Sequence, residues 1–256
     1  MANELSKYWG YFMLEFKRTS FYWPELILRT LLIILRLILP YSIFSILAHT
    51  NRITLEQSHA ALWAVLIGQI IYGSVLNMPK SIKNEVRTGE INIRITEPVI
   101  YVLAKMSMAM GKFVPYFTTN VLIFFPLFIL LFPSNINYFQ LFIFSIISAL
   151  ICNLISLNIG LTSFLIEEND GILLISQKLF MIFGNQMIPV MLMPLWIQTI
   201  AKYTPFYLGL AGPIEVASGR WSVIGASFSG TAYIIFFLIL AQWQVRTIRR
   251  RMITNG

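Results

Sequence analysis

Charge is scarce in this chain. Of its 256 residues, 12% are Asp, Glu, Lys or Arg, about half the share usual in a soluble domain. There is one cysteine, Cys152, so a disulfide scaffold is excluded. It lies in an apolar run, where cysteine acts as a small buried hydrophobe rather than a reactive thiol. There are two histidines, His49 and His59, and no Cys/His set has metal-ligand spacing. These two are expected to be unconnected. No G-x-x-x-x-G-K-[ST] loop is present, so the chain is not expected to hydrolyse ATP by itself. No Ser-His-Asp arrangement is visible either. Neither an enzyme activity nor a resident cofactor or metal is expected. Internal repeats and low-complexity tracts are also lacking.

What the chain has instead is apolar length. Hydrophobic residues make up 57% and the mean hydropathy is +0.72. A water-soluble globule of this size has too little polar surface to cover such a core, so the expected solvent is a lipid bilayer. A spanning helix needs roughly 20 apolar residues. Six segments qualify: about 25–48, 59–78, 101–132, 139–166, 172–195 and 222–244. Alternating ten-residue strands are absent, so helices fit and a barrel does not. The expected fold is all-α and membrane-embedded, one domain over residues 1–256.

Residues 1–22 lack the pattern of a signal peptide. Leu5, Tyr8, Trp9, Phe12, Met13 and Phe16 recur at helical spacing, with Lys7, Glu15 and Lys17 opposite. This predicts an amphipathic helix in the membrane interface, in preference to one packed on a soluble partner. Pro24 suits the first turn of the first span.

The net charge of +8 would suggest nucleic acid in a soluble protein. Here the basic residues flank the spans, and no nucleic acid is expected. With the N-terminus inside, fourteen of the 19 Lys and Arg fall on cytoplasmic segments, Arg251 in the tail among them. Arg52, Lys202 and Arg220 fall outside, and Arg29 and Arg36 lie within the first span. Both termini are therefore expected in the cytoplasm. The acidic Glu167, Glu168 and Asp170 run against this trend but weigh little in the rule.

Segment 79–98, PKSIKNEVRTGEINIRITEP, is a compact stretch of both charge signs between two spans. Lys83 and Arg87 share one helix face, and Ser81 and Glu85 a neighbouring one. Gly89 sits where a C-cap would end that helix. Two readings are open: a solvated connector near headgroups, or a docking element for a soluble subunit.

The run Asn84-Glu85-Val86-Arg87-Thr88-Gly89-Glu90, with Ile91 and then Glu97-Pro98, resembles the cytoplasmic signature of ABC-2-type permeases. That signature reads (D/E)-x-x-x-G-x-(I/L) and then L-x-x-P. The nearest subgroup is the small six-span permeases similar to viologen exporters. Phe183-Gly184-Asn185-Gln186, Ile188-Pro189, Met193-Pro194-Leu195-Trp196 and Thr204-Pro205-Phe206 are similar to that subgroup's fifth span and outer segment. The departure is Thr96-Glu97 before Pro98. The resemblance implies the membrane half of an exporter in a plasma (inner) membrane, worked by alternating access. Two permeases, identical or homologous, would each dock a separate ATPase subunit that carries ATP and Mg. Docking is carried to Glu85, Arg87, Gly89 and Glu90. A membrane scaffold for an ATPase and a stand-alone carrier are the alternatives. The carrier is weakened because the carboxylates cluster at the predicted cytoplasmic edges rather than within the spans.

Segment 196–221 is too rich in Pro and Gly for a spanning helix and too apolar for a free loop. A re-entrant hairpin is preferred to a loop on the headgroups. Arg29 and Arg36, seven apart, share a face of the first span. They either line a pathway or clamp to protein or lipid phosphate, with Glu25 a partner for Arg29. The second is preferred. Asn153 and Asn158 in the fourth span, and Gln177, Asn185 and Gln186 in the fifth, are read as interhelical packing ahead of substrate contact. The pairs Ala64/Gly68, Ser107/Gly111 and Ser156/Gly160 would permit close helix approach.

Overall fold

The structure is a computed structural model describing residues 2–75, 78–96, 99–164, 166 and 169–255. Glu97-Pro98 and Glu167-Glu168 lie outside the described residues, as does the Arg251 side chain. Among the described residues the chain forms α-helices and one 3-10 turn, with no strand. The helices are α1 (Ala2–Phe21), α2 (Trp23–His49), α3 (Leu55–Val75), α4 (Met78–Arg87), α5 (Glu90–Thr96), α6 (Tyr101–Leu131), α7 (Tyr138–Thr162), α8 (Asp170–Phe183), α9 (Leu195–Lys202), α10 (Pro205–Leu210), α11 (Gly212–Ala217) and α12 (Val223–Asn255). Helices α2, α3, α6, α7 and α12 are long and apolar enough to cross a membrane, which fits a multi-pass membrane protein. Five of the expected spans coincide with them. Pro24 opens α2 in its first turn, as expected.

The stretch 172–195 is not one helix. Helix α8 has 14 residues, about 21 Å at 1.5 Å per residue, against a hydrocarbon core of about 30 Å. The helix ends at Gly184, and Asn185 turns left-handed with φ of 57°. Pro189 then disfavours helix at the residue before it. A single 3-10 turn, Val190–Leu192, leads on to α9.

Packing sorts the helices by depth. From Ala61 to Ile71, α3 is buried on every side, and most of the second half of α7 is buried too. Around them α2 exposes Leu28, Leu31, Leu32 and Leu35, and α12 exposes Ile224, Phe228, Phe236 and Ile239. Inside-out surfaces of this kind suit lipid or another membrane chain. The short helix α11 is wholly buried, and α10 is buried from Tyr207 to Leu210. They wedge against the middle of α7, where Ser148 Oγ donates to Leu208 O at 2.8 Å and Cys152 Sγ to Gly209 O at 3.0 Å.

Each glycine of the three small-residue pairs meets a neighbour. A Cβ on Gly68 would lie 2.7 Å from Gly184 O, and one on Gly160 would lie 2.8 Å from Ile82 Cδ1. A Cβ on Gly111 would strike the Phe12 carbonyl, so α1 packs closely along α6. That contact revises the amphipathic reading of α1. Glu15 does not lie on the solvent side: it is 6% exposed and faces Lys112 of α6 at 3.5 Å. Leu5, Trp9, Leu14 and Phe21 are the exposed large apolar positions of α1 among the described residues.

Gly89 ends α4 as expected, with φ of 73° and the Thr88 and Gly89 N–H groups closing back on Asn84 O and Val86 O. No atom lies within 4 Å of an added Cβ, so only backbone strain opposes a side chain here. Gly89→Ala is expected to cost about 1–2 kcal/mol and Gly89→Asn less, read as the midpoint of thermal unfolding in detergent.

Candidate functional site

The elbow made by α4 and α5 is tied to three other helices. Glu85, 6% exposed, pairs with Lys105 Nζ near the start of α6. It also accepts from Tyr101 Oη at 3.0 Å, and Arg94 stands 3.8 Å away. Lys83 Nζ reaches Asp170 Oδ1 at the start of α8 at 2.7 Å. Arg249 of α12 donates to Ile95 O of α5 at 2.7 Å. Burial pulls the Arg94 guanidinium down, but the Glu90 hydrogen bond and the Glu85 and Glu90 carboxylates more than offset it, and its pKa is raised.

The four residues assigned to docking therefore divide. Glu85 is turned inward and spends both oxygens on internal partners. Arg87 and Glu90 are exposed, and Gly89 is half-buried between them. The amphipathic α4 buries Pro79, Ile82 and Glu85, and a carboxylate on that face needs a buried cation. Lys105, one turn inside an apolar span, was the sequence signal for that partner, since an ionisable group at such a position is normally paired.

Arg29 is clamped rather than free. Its Nε and Nη2 donate to Glu25 Oε1 at 3.0 and 2.6 Å, and Nη1 donates to Gly73 O at 2.8 Å. The guanidinium lies 5.6 Å from the centre of the Tyr116 ring. The expected Glu25 partner is there; Gly73 and Tyr116 come from packing.

Arg36 differs. It is exposed, midway along α2, and its Nη1 donates to Gln69 Oε1 at 3.3 Å. Gln69 Nε2 passes on to Gln186 O at 2.7 Å. This relay joins α2, through α3, to the break after α8. There Asn185 Oδ1 accepts from Val190 N at 2.8 Å, which fixes the left-handed turn. Asn185 Nδ2 and Gln186 Nε2 are buried without a hydrogen-bond partner among the described residues. Two amide donors thus lie at the far end of this relay from Arg36, able to serve an oxygen acceptor or ordered water. Gln69 was not singled out from sequence; its place in the middle of an apolar span was the available signal.

Of the two α7 amides, Asn158 bonds across to another helix, whereas Asn153 bonds within α7 and lines a cavity. Asn158 Nδ2 donates to Leu154 O at 2.7 Å and Phe237 O of α12 at 3.1 Å. Asn153 Nδ2 donates to Ala149 O at 2.9 Å. A further buried contact, Thr30 Oγ1 to Asn120 Oδ1 at 3.2 Å, links α2 to α6 and was not anticipated. His59 Nδ1 lies 3.2 Å from Pro133 O and its ring packs edge-on against Phe132. Among the described residues no group of three or more His, Cys, Asp and Glu is placed to hold a metal.

No protein-family model matches this chain, and neither does any curated protein.

Proposed function

We propose that the chain is the membrane permease subunit of an ATP-driven exporter, working as a pair of permeases with separate ATPase subunits. One observation carries the reading: Arg36 is exposed on this chain at the centre of α2, equidistant from Trp23 and His49. An arginine facing lipid at that depth costs about 2.5–3.5 kcal/mol on insertion scales. A second membrane chain, or a polar pathway between two chains, removes that cost. The broken backbone after α8 lies on the same relay, and irregular backbone at membrane depth is tolerated only against protein or a cavity. In this reading α8 and the segment through α11 form a re-entrant sixth membrane element. Both termini are cytoplasmic, and the membrane is the plasma membrane.

The elbow supplies the coupling. ATPase subunits would dock on the exposed Arg87–Glu90 side, and Glu85, Lys83 and Arg249 would carry a displacement of α4 and α5 into α6, α8 and α12. The ABC-2 motifs in the same segment support this assignment, and ATP with Mg would belong to the partner.

The test is affinity purification of the full chain in mild detergent, with subunits identified by mass. An ATPase and a second permease are expected with the wild type. The Arg87→Glu/Glu90→Lys variant, which spares Glu85, is expected to lose the ATPase and keep the permease pair. Well-folded wild type without an ATPase overturns the reading.

A further inference from the structure

A cavity of about 590 Å³ opens where α1, α2, α4 and α6 converge. Its lining carries five cations and three carboxylates. Two of the cations are committed elsewhere, Lys105 to Glu85 and Arg94 to Glu90 at 2.7 Å, with Glu85 3.8 Å away. The other three are Arg18, Arg29 and Lys112. Glu15 stands between Arg18 at 3.6 Å and Lys112 at 3.5 Å, ion-pair contacts rather than close hydrogen bonds. One buried carboxylate thus holds two cations in place without saturating them, since lysine has three donors and arginine five. Arg18 and Lys112 also remain accessible, with side chains 65% and 46% exposed.

We propose that this cavity binds the phosphate headgroup of an acidic phospholipid from the leaflet beside α1. The cation excess of the lining selects an anion, and guanidinium and ammonium groups together suit a phosphodiester. A lipid is favoured over free phosphate by the walls. Leu14 lines the cavity and is itself 60% exposed, and the same two helices carry further exposed apolar side chains, Trp9 on α1 and Leu28, Leu31 and Leu32 on α2. A headgroup among the cations leaves its acyl chains along these apolar surfaces. Bound there, the lipid would hold α1 to the start of α6, whatever the chain transports.

The full-length protein, with any subunits that co-purify, is incubated with phosphatidylglycerol, phosphatidylcholine or phosphatidylethanolamine in mixed micelles, and retained lipid is counted by native mass spectrometry. Phosphatidylglycerol is expected to be retained preferentially. Arg18→Gln/Lys112→Gln is expected to weaken its retention about 30-fold, roughly fivefold per cation. Arg18→Lys/Lys112→Arg is expected to keep retention within a few-fold of wild type. Equal retention of phosphatidylcholine or phosphatidylethanolamine by wild type overturns the proposal. So does displacement of phosphatidylglycerol by equimolar inorganic phosphate, which would mark a soluble-anion site. Should the glutamine variant fail to fold, thermal unfolding of wild type decides: a shift with phosphatidylglycerol no larger than with phosphatidylcholine also overturns it.

Discussion

Glu85→Ala is expected to destabilise the protein by about 3–5 kcal/mol, the usual loss when one member of a buried ion pair is removed. Lys105 and Glu85 side chains are each 7% exposed, so the substitution leaves a largely buried ammonium group without its carboxylate. Tyr101 Oη loses its acceptor at the same time. Lys105→Met alone is expected to be comparably harmful. The double variant Glu85→Gln/Lys105→Met removes both charges and is expected to recover most of the loss, because paired burial is only weakly stabilising to begin with. Cys152 is a built-in reporter. It is the sole cysteine and is fully buried, so the rate of its reaction with a thiol probe in detergent follows unfolding. A double variant no better than the single ones would show that the pair is not the source of the effect.

The second large effect is in the wedge formed by α10 and α11. Glu215 is 4% exposed and is held by Arg220 through two contacts, Nε to Oε2 at 2.9 Å and Nη2 to Oε1 at 3.0 Å. Arg220→Met strands this carboxylate among α10, α11 and Trp221. A loss of about 3 kcal/mol is expected, the lower end for a broken buried pair, because the Arg220 side chain is 31% exposed and water can reach part of the site. Arg220→Lys keeps the charge but not the planar fork and is expected to fall between wild type and methionine. The same thiol-reaction assay applies, and Gly209 O lies on the Cys152 sulfur, so loosening of α10 registers directly. Equal stability of Arg220→Met and wild type would sink the assignment of this pair as the clasp of the wedge.

The positions of α2, α3, α6, α7 and α12 were legible because spanning a bilayer imposes a long apolar run, which no tertiary contact is needed to recognise. The α4 stop at Gly89 and the Glu25–Arg29 pair were legible for a similar reason: both depend on residues at most five apart. The break after α8 was not. Residues 172–195 are apolar enough to read as a span, and Gly184 and Pro189 alone do not stop membrane helices; α6 carries Pro115 and Pro126 and continues. What stops the chain is the fit around Gly184. Its carbonyl abuts Gly68 of α3, and a Cβ on it would meet the Leu210 side chain of α10.

The charged residues divide along the same line. Arg87 and Glu90 are on the surface, as expected from their place in a polar stretch. Glu85 and Glu15 are not, because helix periodicity tells which residues share a face but not what that face will meet. By itself the sequence determined the helical class and the five helices long and apolar enough to cross a membrane, since both follow from local composition and the backbone's need for internal hydrogen bonds in an apolar setting. Only the tertiary structure decided which carboxylates are buried, where the fifth apolar segment breaks and which arginine is left exposed. Those outcomes depend on partners far apart in the chain, and burial of a charge is settled by whether such a partner arrives.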